Sequence, residues 1–428
     1  MSRSAIGFAG MTHLGLNSAV AAAERGFNVV GFDLESRHIE SLKRRELPVV
    51  EPDLPELLAK NQARLTFTDR IGDLAACDVV YVSPDVPTDD HGQSDLSGVR
   101  ALIGMVDAAL GPETVLVVLS QVPPGFTRGL SRPPDRRFYQ VETLIFGRAI
   151  ERALHPERFI VGCADPTAAL PEPLASFLSA FGCPILPMRY ESAELAKVSI
   201  NMFLAASIST TNTLAELCET IGADWSEIVP ALKLDKRIGQ YAYLAPGLGI
   251  AGGNLERDLT TVCRLADARG SDAGVVRGYI ANSRHRCDWV LTQIHERVLA
   301  RKPDPVVAVL GLAYKQDTRS TKNSPSLALL AALKPFAVRT FDPVVPPRPE
   351  FHARLFGAAS ALEACAGADV LTIMTPWDEF RRLAPREIAE RLRGQTVIDP
   401  YAVLDAGDCR AAGLDYITLG AAPITDGA

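Results

Sequence analysis

The stretch AIGFAGMTHLG, residues 5–15, decides the fold class of this chain. Its first five residues are apolar or small and predict a buried strand, and Gly10 and Gly15 bound a turn that leads into an alanine-rich helical segment. A second apolar run, Asn28 to Phe32, follows and ends at Asp33. A strand, a glycine-bounded turn, a helix and a second strand ending in an acid are typical of a dinucleotide-binding unit.

The same segment also indicates which cofactor the chain binds. In such a unit the amides at the helix start bind a pyrophosphate, and the acid accepts hydrogen bonds from ribose hydroxyls. Asp33 would repel a 2′-phosphate, so NAD is favoured over NADP. The middle glycine of the G-x-G-x-x-G pattern is Thr12 here, and its hydroxyl would be free to donate to a phosphate oxygen. A tight turn that binds nothing is the alternative. The expected cofactor-binding residues are Gly10, Thr12, His13, Leu14, Gly15 and Asp33.

Apolar runs alternate with amphipathic segments in both outer parts of the chain. They are Val79–Val82, Val115–Leu119, Phe159–Val161, Val306–Leu310, Val338–Phe341, Val370–Met374 and Val397–Asp399. This alternation predicts an α/β fold with two Rossmann-like, doubly wound domains. Between them, the segment from Glu191 to about Cys218 predicts a long central helix that joins the domains and serves as a dimer seam. We expect three domains, 1–190, 191–300 and 301–428.

Composition narrows the functional class. The chain has 428 residues, 47% of them hydrophobic, and a net charge of −7. A negative charge argues against general affinity for nucleic acid or anionic membranes. No apolar run approaches the roughly 18 residues needed to span a bilayer, and the N-terminus reads as a strand, so we expect a cytoplasmic protein. The eight cysteines form no C-x-x-C pair, which predicts reduced thiols and no metal site.

Several further segments, in order along the chain, resemble the UDP-glucose/GDP-mannose dehydrogenase family. They are Glu51-Pro52, Pro87-Thr88 with Gly92 and Asp95–Ser97, Val122–Gly125, Ala193–Lys197 with Asn201, Asp235 with Arg237–Gly239, Pro246–Gly252, Asp258, Gly311–Lys315 with Thr318, Ser324-Pro325 and Thr375–Trp377. The resemblance implies that residues 1–190 bind NAD, that residues 301–428 bind a nucleotide sugar, and that the central helix forms a homodimer. It also implies a role in polysaccharide biosynthesis. Family members oxidise the C6 alcohol of the sugar to a carboxylate with two NAD, through a cysteine-linked thiohemiacetal and thioester.

The resemblance implies that Lys197 and Asn201 are the catalytic lysine and asparagine. They are four residues apart on the predicted helix, so their side chains share one face. The ammonium would stabilise developing alkoxide charge, and the amide would donate beside it. The resemblance adds Asp258 and Glu142 as groups that handle the proton through water. A solvated lysine and an amide that packs between helices are the alternative.

The position of the family's nucleophile holds Asn254. The segment Pro246–Asp258 aligns without gaps to the nucleophile loop, and a carboxamide nitrogen cannot form a thioester. Gln121 stands in place of a threonine and Phe146 in place of a second acid. All three replacements affect groups that the family uses to form or to hydrolyse the thioester. Asn254 and Gln121 are therefore expected at the active site without covalent catalysis.

The resemblance also implies binding residues, although any one of the charged side chains among them could be an ordinary solvated one. The expected substrate contacts are Leu144, Arg237, Tyr241, Gly249, Gly252, Tyr314 and Lys315, and the further cofactor contacts are Pro87, Thr88 and Lys322. Ser320 and Lys322 replace an acid and an arginine, and Tyr401 replaces an arginine after Asp399, so contacts there would be weaker or rearranged.

The leading hypothesis is therefore hydride transfer to NAD from a hydroxyl of a UDP-hexose, at C6 by resemblance, without a thioester. One version of it stops at the two-electron stage. Two alternatives remain at this point: a hydroxyacid dehydrogenase relative, and a catalytically silent protein that binds nucleotide sugars.

Overall fold

The computed structural model describes residues 4–47, 49, 51–87 and 94–422. The chain divides into two compact units, Met1–Ile200 and Asn201–Ala428. Each unit contains a twisted sheet of its own, so the predicted α/β fold with two Rossmann-like sheets and a long central helix is confirmed. The division into domains 1–190, 191–300 and 301–428 stays a prediction.

The first unit contains an eight-stranded sheet in the order β3-β2-β1-β4-β5-β6-β7-β8. The strands are β1 Ala5–Ala9, β2 Asn28–Phe32, β3 Leu65–Thr68, β4 Val79–Val82, β5 Val115–Val118, β6 Arg137–Gln140, β7 Phe159–Cys163 and β8 Ile185–Arg189. The helices are α1 His13–Glu24, α2 Ser36–Lys43, α3 Leu54–Lys60, α4 Ser97–Ala109, α5 Ala149–Leu154 and α6 Glu172–Ser179. Neighbouring strands run parallel, except for β6 and β7, which pair antiparallel.

The central strands form because their side chains are apolar on both faces. All residues of β4 and β5 are buried, as is usual for a parallel sheet covered by helices on both sides. The chain reverses between β1 and β4, which lie side by side although two strands separate them in sequence. Ligands of open α/β sheets bind beyond the carboxyl ends of the strands at such a switch point.

The central helix, α7, runs from Tyr190 to Ile221. Gly222 follows it with a φ of +80°, a backbone conformation that commonly ends a helix. Within the second unit, α7 buries Ala205, Ala215 and Cys218.

The second unit contains a six-stranded parallel sheet in the order β11-β10-β9-β12-β13-β14. Its strands are β9 Val306–Leu310, β10 Ala337–Phe341, β11 Leu355–Gly357, β12 Val370–Ile373, β13 Thr396–Ile398 and β14 Asp415–Ile417. Its helices after α7 are α8 Trp225–Leu234, α9 Asn254–Arg269, α10 Gly274–Cys287, α11 Trp289–Ile294, α12 Pro325–Ala332, α13 Ala361–Cys365, α14 Pro385–Arg391 and α15 Ala406–Ala411. Among the described residues, no helix has the length and apolar character that a membrane crossing requires.

The turn after β9 in the second sheet resembles the turn after β1 in the first sheet. Gly311 follows β9 with a φ of +94°, as Gly10 follows β1 with a φ of +98°. The acid at the end of β10, Asp342, corresponds in place to Asp33. Its carboxylate is saturated within the domain: it accepts hydrogen bonds at 2.6–3.2 Å from the amides of Leu312, Ala313, Val344 and Val345 and from the Trp377 indole.

Candidate active site

The loop after β1 has the geometry of a dinucleotide-binding turn. The Gly10 amide donates to the Phe32 carbonyl at 2.8 Å, and a Cβ on Gly10 would lie 2.8 Å from the Pro84 nitrogen. A Cβ on Gly15 would lie 1.9 Å from the Gly10 carbonyl oxygen, so only glycine lets α1 start this close to the strand. The Met11 amide donates to Asp33 Oδ2 at 2.7 Å, which brings the acid to the loop.

Thr12 has partners within the protein, and its predicted contact with a phosphate stays a prediction. It is the N-cap residue of α1 but makes no capping bond with its side chain. Its hydroxyl donates to the Ser83 carbonyl at 3.3 Å and accepts from the Asp85 amide at 3.1 Å. Because its single hydrogen is engaged, Thr12 is not available to donate to a phosphate in this arrangement. The amides of the first turn of α1 remain uncapped by Thr12, so they suit a pyrophosphate.

A cleft of about 340 Å³ opens beside this loop. Its described lining includes Gly10, Thr12 and Pro87 among the residues expected to bind cofactor, together with Asp33. Thr88, also expected there, lies outside the described residues. The glycine turn, the uncapped helix start and the acid at the end of β2 together fit the adenosine and pyrophosphate parts of NAD.

Behind the loop, a buried carboxylate joins three segments of the chain. Glu51 Oε1 lies 2.7 Å from His13 Nε2 and accepts the Gly147 amide at 2.9 Å, while Oε2 accepts the Ala149 amide at 3.1 Å. The His13 ring packs on Phe146, with ring centroids 4.1 Å apart. His13 and Glu51 are buried, and the predicted contact of His13 with the cofactor stays a prediction. Glu51 was quoted in the sequence pattern without a role.

Glu142 and Lys197 form an ion pair within the first unit. Their Oε2 and Nζ atoms are 3.3 Å apart, and both side chains are largely buried. The Leu144 amide donates to Glu142 Oε1, and Leu144 also lines a pocket of about 60 Å³. Gln121 is half-buried, three residues after β5.

Glu194 anchors the segment that follows Gln121. Its carboxylate accepts the Gly125 amide at 2.5 Å and the Thr127 amide at 2.8 Å. Burial raises the pKa of Glu194, while these amides act in the opposite direction. Glu194 therefore fixes the Val122–Gly125 segment to α7.

In the second unit, Asn201 on α7 donates from Nδ2 to Asp258 Oδ2 on α9. Asp258 is almost fully buried, and its Oδ1 lies 3.3 Å from Arg257 Nε. A buried carboxylate needs such partners, because an unpaired charge in the interior costs several kcal/mol. Asp258 and Asn201, predicted separately, are thus in contact.

The glycine-rich segment 246–253 packs against the turn after β9. A Cβ on Gly252, whose φ is +80°, would lie 2.9 Å from the Tyr314 ring, and the Gly252 carbonyl accepts from Asn323 Nδ2 at 3.0 Å. A Cβ on Gly253 would lie 3.4 Å from Lys322 Cδ. Asn254 is exposed and is the first residue of α9. The structure therefore brings Gly252, Asn254, Tyr314 and Lys322 to one place.

Two further contacts hold the start of this segment. Asn212 on α7 accepts the Gly247 amide at 2.8 Å, and Ser283 on α10 accepts the Ile250 amide at 2.7 Å. A Cβ on Gly249, whose φ is +75°, would lie 2.3 Å from the Ser283 carbonyl oxygen, so a side chain there cannot be accommodated.

Lys315 follows Tyr314, and its Nζ lies 5.9 Å from the centre of that ring. Arg237 and Tyr241 lie on a different, exposed segment after α8. Arg237 pairs with its neighbour Asp235 at 2.6 Å, and Tyr241 is 91% exposed. Their part in substrate binding stays a prediction.

Four of the thiols are poor candidates for a substitute nucleophile. Cys263 is buried within α9 and packs with Leu259 and Ala266. Burial raises the pKa of Cys77, Cys365 and Cys409 to about 12, so these three are protonated at neutral pH. Among the described residues, no group of three or more His, Cys, Asp or Glu side chains has the arrangement of a metal site.

Comparison with known proteins agrees with this geometry along nearly the whole chain. Three family models match: UDP-glucose/GDP-mannose dehydrogenase family, NAD binding domain, at residues 4–176; the central domain at residues 191–283; and the UDP binding domain at residues 308–406.

Individual relatives cover similar lengths. A UDP-glucose 6-dehydrogenase of Pseudomonas aeruginosa is 31% identical, over 91% of this chain and 91% of its own. The UDP-glucose 6-dehydrogenase TuaD of Bacillus subtilis is 29% identical, over 96% of this chain and 92% of its own. The solved structure of a UDP-glucose dehydrogenase from Pyrobaculum islandicum superposes with a TM-score of 0.83 at 26% identity, covering 97% of both chains.

Proposed function

Because the chain belongs to the UDP-glucose/GDP-mannose dehydrogenase family, whose members are NAD-dependent dehydrogenases acting on a CH–OH group of a nucleotide sugar, we propose that it oxidises the C6 hydroxyl of a UDP-hexose without a thioester. The reaction stops at the two-electron stage, which is the aldehyde. The observation that carries this proposal is Asn254 at the first position of α9. Matches to the UDP binding domain and to relatives named UDP-glucose 6-dehydrogenase support the choice of substrate.

We assign the ion pair of the first unit, Lys197 and Glu142, to the sugar oxygen that reacts. NAD, when bound, accepts the hydride. The Lys197 ammonium stabilises negative charge on the sugar oxygen, and Glu142, 3.3 Å from it, keeps the ammonium in place and takes up the proton through water. Because both side chains are largely buried, removing either one would leave the charge of the other without its partner.

The contact between Asn201 and Asp258 is assigned a positioning and proton-handling part. Asn201 lies four residues after Lys197 on α7, so its amide points to the same side of the helix. Asp258 fixes the orientation of that amide, because a carboxylate accepts and the Asn201 NH₂ group must therefore face it. The remaining hydrogen of the NH₂ group is the one that donates to substrate.

Asn254 orients the substrate at the position where the family's cysteine would attack it. An amide at the start of a helix donates and accepts hydrogen bonds but does not form an acyl bond. Beside Gly252, Tyr314 and Lys322, it binds the sugar hydroxyl or the hydrate of the aldehyde. Without a thioester the second oxidation loses its covalent intermediate, which is why we propose that the reaction ends after one hydride.

The proposal is tested by incubating the protein with NAD and a panel of nucleotide sugars, with UDP-glucose first. NADH is followed by absorbance, and the product is identified by mass spectrometry. We expect about one NADH per sugar and an aldehyde or its hydrate, since each NAD accepts one hydride. Two NADH and a uronic acid would contradict the two-electron ending. Sugar binding without NADH from any substrate would contradict the enzymatic proposal.

We also propose that the chain is a homodimer through α7. In the second unit this helix exposes Phe203, Leu214, Leu217 and Ile221, and Phe203 and Ile221 are 78% and 71% exposed. These four residues share one side of the helix, since their spacings of 11, 3 and 4 residues are close to whole turns. An apolar stripe of this kind marks an association surface, and a second copy of the same helix is complementary to it.

A further inference from the structure

The glycine-rich segment of the second unit is the later part of a longer loop, residues 243–253, called the glycine loop below. Side chains hold this loop by its backbone. The Thr211 hydroxyl on α7 donates to the Tyr243 carbonyl at 3.2 Å, and the Trp225 indole donates from Nε1 to the Leu244 carbonyl at 2.7 Å. Two amides of the loop are held by side chains of α7 and α10. A loop without regular secondary structure takes its position from such bonds.

Trp225 also connects the glycine loop to a distant part of the chain. It is the first residue of α8 and is 3% exposed. Its backbone amide donates to the Gly420 carbonyl at 2.8 Å, and Asp224 and Ala421 form an antiparallel bridge at the same point. The segment after β14, residues 418–422, is therefore paired with the residues at which α8 begins.

Gly420 allows this close approach. Its φ is +79°, and a Cβ on it would lie 2.8 Å from Trp225 Cβ and 3.4 Å from Ala215 Cβ. A side chain at this position would strain the backbone and displace Trp225, because both the positive φ and the short distance require glycine. The position of the Trp225 indole therefore depends on residue 420.

Glu219 on α7 fixes the other side of the same segment. Its carboxylate accepts hydrogen bonds from the Gly420 amide at 2.9 Å, from Trp289 Nε1 at 2.8 Å and from Arg286 Nη2 at 2.8 Å. Arg286 is 1% exposed and balances the charge of this carboxylate in the interior. Glu219 and Trp225 thus bind the N–H and the C=O of Gly420, which leaves residue 420 one position.

We propose that the segment 418–422 and Trp225 together set the position of the glycine loop, and that Trp225 is a positioning residue for the nucleotide sugar. A change at residue 420 is then transmitted to the loop through the Trp225 indole. The part in sugar binding rests on the proposed function, whereas the connection between the segment and the loop does not.

The test compares three variants with the wild type by hydrogen exchange in the glycine loop and by calorimetric titration with UDP-glucose. Trp225→Phe keeps an aromatic ring but removes the donor to Leu244. Trp289→Phe is the matched control, because it removes the same indole N–H from a bond to Glu219 and not from a bond to the loop. Gly420→Ala acts on the connection from its other end.

We expect Trp225→Phe to speed exchange of the Gly247 and Ile250 amides by at least about fivefold, the usual effect of losing one buried hydrogen bond, and to weaken UDP-glucose binding by a similar factor. Gly420→Ala should do the same, and the double variant should add little, since both changes act through one contact. Trp289→Phe should change neither quantity. Titration with NAD should give the wild-type affinity in all variants, because the NAD binding domain is matched at residues 4–176.

Faster exchange in the glycine loop of Trp289→Phe, equal to that in Trp225→Phe, would overturn the proposal, since a general loosening of the unit would explain both. So would wild-type exchange in the loop of Trp225→Phe, or wild-type affinity of that variant for UDP-glucose. If Gly420→Ala does not fold, the two tryptophan variants decide the matter by themselves. A wild type that binds no UDP-glucose would overturn the proposed function and the part in sugar binding, while the exchange rates would still decide the connection.

Discussion

At the scale of single residues, Asn254 determines what chemistry is open to this chain. It is the first residue of α9, where unpaired amides and the helix dipole favour a negative charge, and Lys322 lies beside the preceding glycine. This environment suits a thiolate, yet the side chain present is an uncharged amide. The surroundings of a nucleophile are thus retained although the nucleophile is not.

Replacing Asn254 with cysteine should therefore create a reactive thiol. The helix start and Lys322 should lower its pKa, since cysteines at such positions ionise more readily than free cysteine. We expect iodoacetamide to modify the Asn254→Cys variant at the introduced thiol, at neutral pH, well before the buried native cysteines. We also expect the NADH produced per sugar to rise from about one towards two. Asn254→Ser is the matched control. An introduced thiol no more reactive than that of Cys263 would contradict this view of the site.

At the scale of elements, Glu51 connects the start of α1 to the segment that carries Glu142. Its buried carboxylate accepts three hydrogen bonds, one from His13 and two from the amides of Gly147 and Ala149. Because carboxylates only accept, His13 must keep a hydrogen on Nε2. The cofactor helix and the segment 142–149 are therefore held in one arrangement.

Two variants of His13 separate the contribution of its hydrogen bond to Glu51 from that of its ring packing on Phe146. His13→Phe keeps a ring against Phe146 but removes the donor to Glu51, whereas His13→Gln keeps a donor but removes the ring. Loss of a hydrogen bond to a buried carboxylate costs about 1–3 kcal/mol, so we expect His13→Phe to be the less stable in urea unfolding. Hydrogen exchange should show segment 142–149 opening more readily in His13→Phe than in His13→Gln. The reverse order would mean that ring packing, not the hydrogen bond, holds the segment.

The strands that were predicted from sequence are those with continuous apolar runs. The bounds of β1, β2, β4 and β9 agree with the expected ones, because buried parallel strands need apolar side chains on both faces. The strand β6 was missed since its sequence, RFYQ, contains Arg137. That side chain is buried in contact with the Leu130 carbonyl and with Tyr190, which lies 53 residues further along the chain, so no local pattern reveals its burial. The edge strands β3 and β8 were missed because they are only partly buried.

The candidate site was predictable to a similar extent. The positions of Lys197, Asn201 and Asp258 came from helix spacing and resemblance, and the contact between the last two came from the fold. Asp85 was not singled out from the sequence, although it lies three residues after β4 and lines the cleft at the edge where cofactors bind. The use of the Thr12 hydroxyl was not predictable, since its partners are about 70 residues away in sequence, at Ser83 and Asp85.

At the scale of the whole molecule, the exposed apolar stripe on α7 is the surface that we expect a partner to cover. Its residues are large and apolar, while Ala205, Ala215 and Cys218, on other sides of the same helix, are buried inside its own unit. A helix with two apolar sides is normally covered on both.

We expect Phe203→Asp to shift the chain from dimer to monomer. A charge in the centre of an apolar interface remains unpaired on both copies, which costs several kcal/mol per dimer. Light scattering after size-exclusion chromatography measures the mass directly. Met105→Asp, an equal change at an exposed residue of α4, serves as the control. A wild type of monomer mass, or a Phe203→Asp variant that stays a dimer, would contradict the assignment of this surface.

Asp342 has a consequence for how many cofactors the chain can hold. The second sheet repeats the glycine turn of the first, yet its corresponding acid already satisfies five N–H groups of its own domain and has no lone pair left for an incoming ribose. A titration with NAD should therefore saturate at one equivalent per chain, and a second equivalent would refute this. The chain thus contains two glycine turns of the same kind, yet we expect only the first to hold NAD, because the Asp342 carboxylate is already bonded to its own loop.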